Sequence, residues 1–158
     1  MLITFIVGLS QFRSQYSPLR YTSQKEPGFP RAIIQESEGC WRGNLDSLAL
    51  ARQITDWAAE AKAEDIVLLD VRKATYLADY FVICSATSER QMTALAERIR
   101  DKSDEEGVPL FHQEGTADSG WVLLDYGDVI VHIFSAALRS FYHLERVWGE
   151  ATVVVRVM

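Results

Sequence analysis

Residues 121–134 constrain the fold more than any other stretch of this chain. Trp121 to Tyr126 (WVLLDY) and Val129 to Phe134 (VIVHIF) are two apolar, β-branched-rich runs separated only by Gly127-Asp128. A Gly-Asp pair between two such runs predicts a β-hairpin, because both residues tolerate the backbone of a tight turn. A hairpin this apolar cannot stand in water on both faces, so further strands or helices must cover it.

The elements around it supply that cover. Leu50, Ala51, Ile54, Trp57, Ala58 and Ala61 fall on one side of a helix, with Asp46 or Ser47 available as N-cap. Ile66 to Val71 and Tyr80 to Cys84 read as largely buried strands joined by the connection Arg72 to Asp79. Ser88 and Gln91 have the spacing of a capping box and open a second helix. Its buried stripe is Met92, Leu95, Ala96 and Ile99, and Gly107 and Pro109 stop it. Leu110 to Glu114 suggests a short strand, and Ala137 to Trp148 a last helix stopped by Gly149. Thr152 to Val157 fits either a final strand or a tail. The order predicts an α/β domain with a mixed sheet of about five strands flanked by helices.

Composition places the domain boundary and excludes several classes. The 158 residues carry 16 basic and 22 acidic side chains, a net charge of −6. Residues 1–44 hold five of the basic and three of the acidic groups, together with three of the four prolines. We therefore read 1–44 as an irregular or disordered extension and 45–158, at −8, as the folded domain. The extension faintly resembles an organelle transit peptide, being free of acidic residues through Lys25; a non-functional tail is the plainer reading. An acidic domain repels phosphate backbones, which argues against direct nucleic-acid readout and for docking on a basic protein. No apolar run approaches the roughly 20 residues that span a bilayer. Two cysteines, Cys40 and Cys84, make no disulfide framework or four-ligand zinc site; Cys84 reads as a small buried hydrophobe and the compartment as reducing.

The usual chemical constellations are missing from the sequence. His112, His132 and His143 do not pair at helical spacing, so no metal site is expected. His132 points away from Val131 and Ile133 and reads as a surface or satisfied core histidine, and His143 as a solvated mid-helix residue. There is no G-x-S-x-G and no phosphate-binding glycine loop. Asp125 and Asp128 straddle a turn, and Asp70 and Asp79 have no acidic neighbours on their own strand faces, so no carboxylate set converges for two-metal chemistry. The expectation is no catalytic residue, no cofactor and no metal. What remains is surface: Trp121, Tyr126, Tyr80, Tyr142, Phe141 and Trp148 gather around the hairpin and last helix. Phe141 and Trp148 read as core. Trp121 and Tyr126 fall on opposite sheet faces, so one of them is expected to be less buried. Flanked by Asp125, Asp128 and Arg90, these aromatics suit a protein-docking patch with an apolar centre and charged rim.

Four segments carry a resemblance: Leu77 to Ile83 (LADYFVI), Thr87 to Gln91 (TSERQ), Gly120 to His132 (GWVLLDYGDVIVH) and Arg139 to Trp148 (RSFYHLERVW). In that order, across about residues 48–150, they resemble the ribosomal silencing factor (Iojap) family. The resemblance implies a fold similar to nucleotidyltransferases without their catalytic acids. It implies a non-enzymatic translational repressor that binds large-subunit ribosomal protein fourteen and blocks joining of the small subunit. It places partner binding on Trp121, Val122, Leu123, Leu124, Asp125 and Tyr126, with Asp79 and Arg90 at motif positions that are secondary or structural. A cytoplasmic location is expected, or an organelle if 1–44 is a transit peptide. Two departures stand out: Ala86 occupies a usual glycine, strained if that position needs positive φ, and Ala137 a usual acid. The rival classes are a nucleotide-binding or nucleotidyltransferase-like enzyme and a homodimer whose aromatic strand pairs with itself.

Overall fold

Asp46 starts the folded elements by capping helix α1 (Ser47–Glu60), its carboxylate accepting from the Leu48 amide at 3.5 Å. Of the two cap candidates Asp46 takes the role, and Ser47 instead donates its hydroxyl to Asp79 at 2.9 Å. The computed structural model describes residues 46–158, and the expectations for 1–44, Cys40 included, lie outside the described residues. After α1 come strands β1 (Glu64–Asp70) and β2 (Tyr80–Ala86), then helix α2 (Glu89–Glu105). Strand β3 (His112–Glu114), a short 3-10 turn (Ala117–Ser119), β4 (Trp121–Asp125) and β5 (Val129–Ser135) follow. Helices α3 (Ala136–Tyr142) and α4 (Leu144–Val147) and strand β6 (Thr152–Val157) complete the domain.

Among the described residues the sheet has six strands, one more than expected, in the order β3-β4-β5-β2-β1-β6. The additional strand is β6, which pairs antiparallel with β1 from Ile66–Val157 to Asp70–Thr152, with an irregularity between Leu68 and Leu69. Only β2 and β5 run parallel, in register from Tyr80–Val129 to Ala86–Ser135; every other pair is antiparallel. β2 is buried along its whole length, as a central strand covered on both faces must be.

The two faces are covered differently. On one, Ile54 and Trp57 of α1 and Met92, Leu95 and Ile99 of α2 pack against Ile66, Leu68, Val82, Cys84, Val122, Leu124, Val131 and Ile133. Each large side chain fully buried there contributes roughly 1.5–3 kcal/mol. The other face carries Phe81, Ile83, Leu123, His132 and Phe134, all buried. Tyr142 and Trp148 lay their rings on it, 5.3 Å from Trp121 and 5.6 Å from Phe81.

The hairpin turn forms as its sequence requires. Gly127 has φ +85°, its amide bonds the Asp125 carboxylate at 2.7 Å, and Tyr126 donates to the Val129 carbonyl at 2.9 Å. The capping box of α2 forms by half. Ser88 accepts from the Gln91 amide at 3.2 Å, but the Gln91 side chain accepts from Thr87 and donates to the Lys62 carbonyl, stapling α2 to the end of α1. The last helix is not continuous. His143 adopts φ +44°, a left-handed conformation that ends α3 and restarts the chain as α4. His143 is exposed, as expected, but stands at a break rather than mid-helix.

Candidate docking surface

The six strand and turn residues assigned to partner binding are all buried. Trp121 is 9% exposed, Asp125 8% and Tyr126 4%, and Val122, Leu123 and Leu124 are closer still to full burial. The expectation that either Trp121 or Tyr126 is less buried does not hold, because both sheet faces are covered. Val122, Leu124 and Tyr126 turn to the helical face, where the Tyr126 hydroxyl meets Ser103 Oγ at 3.0 Å and burial raises its pKa. β4 is also interior, paired with β5 from Trp121 to Asp125 and with β3 from Leu123 to Asp125.

The exposed aromatics are Tyr76, Phe111 and, on the helix that begins where β5 ends, Phe141. Phe141, expected in the core, is 75% exposed. The break at His143 turns the chain away before the stripe from Leu138 to Trp148 can continue, and that leaves Phe141 outside. Its ring is 5.0 Å from Tyr142, which is 5.3 Å from Trp121, itself 4.6 Å from Phe134. A continuous aromatic ledge thus runs from the sheet interior to solvent.

Beside this ledge, at the carboxyl ends of β2 and β5, lies an open groove of about 520 Å³. Met92, Ala117, Ala137 and Leu138 supply apolar lining, and Glu89 and Asp118 are its charged residues. Ser88 and Ser135 cap the two helices that start there. Gly120 is required at this wall. It has φ +77°, and a Cβ would meet Ser135 Oγ at 2.9 Å and Leu138 Cδ1 at 3.0 Å. Ala86 ends β2 without positive φ, so the strain feared for an alanine there does not arise.

The two secondary candidates part company. The Asp79 carboxylate takes the Ser47 hydroxyl and its amide bonds the Asp128 carbonyl, tying α1 to the start of the parallel pair. Arg90 is exposed and lines a second open groove of about 610 Å³ with Glu97, Arg100 and Asp118.

Sequence reasoning missed Arg139. This buried guanidinium bonds Glu145 at 2.6 Å, Ser85 Oγ at 3.1 Å and the carbonyl and carboxylate of Asp65, joining α3, α4, β1 and β2. The one signal for it was an arginine set among apolar residues six positions before a glutamate. His132 is buried as a core residue, against Phe81, Trp121 and Phe134, but neither ring nitrogen has a hydrogen-bond partner among the described residues. It is therefore not the satisfied histidine expected, and burial pushes its pKa down to about 3. Cys84 is buried as expected, its thiol pushed up to about 12 by burial. Among the described residues no group of three His, Cys, Asp or Glu side chains could hold a metal ion. No helix among them is long and apolar enough to cross a membrane.

A six-stranded mixed sheet around one parallel pair, with two long helices on one face and an aromatic ledge on the other, defines a small α/β domain seen in solved structures. A protein from Chromobacterium violaceum superposes with a TM-score of 0.63 at 32% identity, over 70% of this chain and 93% of that one. One from Bacillus halodurans does so with a TM-score of 0.55 at 34% identity, over 70% and 95%. The family described as "Ribosomal silencing factor during starvation" (RsfS) matches residues 44–157, and the chain belongs to that family. It is 45% identical to the ribosomal silencing factor RsfS of Bacillus subtilis over 58% of this chain and 78% of that protein. It is 37% identical to the chloroplastic protein Iojap of Zea mays over 70% of this chain and 48% of that protein.

Proposed function

We propose that this chain represses translation by binding the large ribosomal subunit through large-subunit ribosomal protein fourteen and excluding the small subunit, with no covalent chemistry. The observation that carries the reading is the match of the silencing-factor family across the whole described domain. The surface supports it. A domain with a net charge of −8 is steered toward a basic protein, and electrostatic complementarity raises the rate of encounter. An exposed aromatic beside an open groove is the kind of anchor on which such interfaces concentrate their energy.

β4 takes part as the frame of this surface. Trp121 supports Tyr142 from beneath, Tyr142 lies against Phe141, and the exposed contact belongs to α3. The working location is the cytoplasm, or an organelle if residues 1–44 act as a transit peptide.

The test is sedimentation of the tagged full chain with separated ribosomal subunits. The protein is expected to travel with large subunits, and large subunits saturated with it are expected not to join small ones. Normal joining at full occupancy would overturn the reading.

A further inference from the structure

We propose that β6 is a self-pairing edge: its outer side joins β6 of a second copy of this chain, antiparallel about a two-fold axis, with Val154 opposite Val155, Val153 opposite Arg156 and Thr152 opposite Val157. The inference is independent of the ribosomal function proposed above.

Three observations carry it. First, the edge is open. β6 pairs with β1 on one side, and among the described residues no strand occupies the other. Its six residues include four valines, no proline and one charged side chain, Arg156, which Asp65 of the same chain neutralises at 3.0 Å. Soluble sheets usually blunt an edge by short length, proline or unpaired charge. The opposite edge is blunted in this way: β3 has three residues and ends on Glu114.

Second, the strand matches itself in one register. Pairing with β1 sets Val155 and Val157 on the helical face, across from Leu68 and Ile66, and Thr152 falls on that side too. Val153 and Arg156 lie on the other face, across from Leu69 and Val67. Val154 is the extra residue at the irregularity and packs against the helical-face core beside Val155. A regular strand meets its own copy only between residues an even number apart, because side chains alternate. The extra residue shifts that to an odd separation. In the proposed register all six residues meet one on their own face, and a slip by one residue in either direction breaks the match.

Third, the charges agree. The two Arg156 side chains lie across from valine instead of each other, and each aliphatic stem covers a Val153 that is 56% exposed. The ladder ends with Ala151 of one copy across from Met158 of the other. Glu150 precedes Ala151, and Lys62 lines an open groove of about 660 Å³ together with Met158. Glu150 and Lys62 are exposed, and neither forms an ion pair among the described residues. The two-fold axis brings this acid and base near each other twice. Six residues a side bury less than the about 1,200 Å² of a standard interface, so the dimer is weak and forms with rising concentration.

The test is sedimentation equilibrium of the full chain from micromolar to near-millimolar concentration. The parent is expected to pass from monomer to dimer. Val153→Lys sets a lysine across from Arg156 of the other copy at two symmetric places and is expected to weaken the dimer by about tenfold. Val153→Glu sets a carboxylate there and is expected to hold the dimer at least as tightly as the parent. Unfolding curves of both variants are expected to match the parent's, because the substituted side chain is exposed. A parent that stays monomeric throughout overturns the proposal. So does parental dimerisation of Val153→Lys, or equal weakening by the lysine and glutamate variants. Phe141→Ala is expected to dimerise as the parent does; its loss of the dimer would move the contact to the aromatic ledge and also overturn the proposal.

Discussion

Arg139 reaches back 74 residues to Asp65 and takes both its main-chain carbonyl and, at 3.3 Å, its carboxylate. Asp65 sits at φ +44° where the β1–β2 pairing is irregular, so the arginine secures a stretch of strand that cannot follow the regular ladder. The same guanidinium holds Glu145 on α4. One buried cation thus fixes the helices that present Phe141.

Replacing Arg139 with methionine keeps much of the volume and removes the charge, leaving Ser85 and the Asp65 carbonyl without their donor. A loss of about 3 kcal/mol is expected in denaturant unfolding, within the usual cost of breaking a buried charged network. Arg139→Lys is expected to recover only part of it, because one ammonium lacks the planar fork that serves four acceptors at once.

Acid should destabilise the fold through His132. The unfolded imidazole takes a proton as pH falls through 6.5, whereas the folded one stays neutral down to about 3. Stability from the neutral form is therefore complete above pH 6.5 and is lost as pH falls toward 3, by up to about 1.4 kcal/mol per pH unit. Unfolding midpoints measured between pH 7 and 5, above the usual carboxylate range, isolate this group. His132→Phe keeps an aromatic ring against Phe81 and Trp121 and should flatten the dependence.

His143 pays for the bend between α3 and α4 with a left-handed backbone that glycine adopts freely. His143→Gly is expected to raise stability by about 1 kcal/mol, and His143→Ala to leave it unchanged or lower. Thermal unfolding of the two variants checks the sign, since the exposed imidazole has little packing to lose.

Trp121→Ala should unfold more readily rather than simply bind less. The indole lies against Phe134 and Tyr142 and is 9% exposed, so truncation leaves a cavity costing about 3–5 kcal/mol. Phe141→Ala, at the solvent end of the same ledge, should leave the unfolding free energy within about 0.5 kcal/mol of the parent. Denaturant curves for the pair distinguish frame from contact surface.

These residues also show what the sequence could reveal. α1, α2 and the hairpin were legible because each is local: a repeating apolar stripe, a capping serine, a Gly-Asp turn. The outside position of Phe141 was not, since the stripe from Leu138 to Trp148 is compatible with one helix and nothing in a histidine announces a left-handed backbone. The role of Arg139 was hidden for a different reason. Its partners Asp65 and Ser85 are distant in the chain, and only the sheet brings them together. The strand residues assigned to docking showed their apolar character but not that both faces above and below them are occupied.

One of the two edge strands, β6, is the last of the six to be synthesised. β1 is complete by residue 70, yet the neighbour that closes one of its sides arrives more than eighty residues later. Until then the nascent sheet has a flank on which a wrong strand can register, so residues 152–157 act as a seal on β1 as much as part of its architecture.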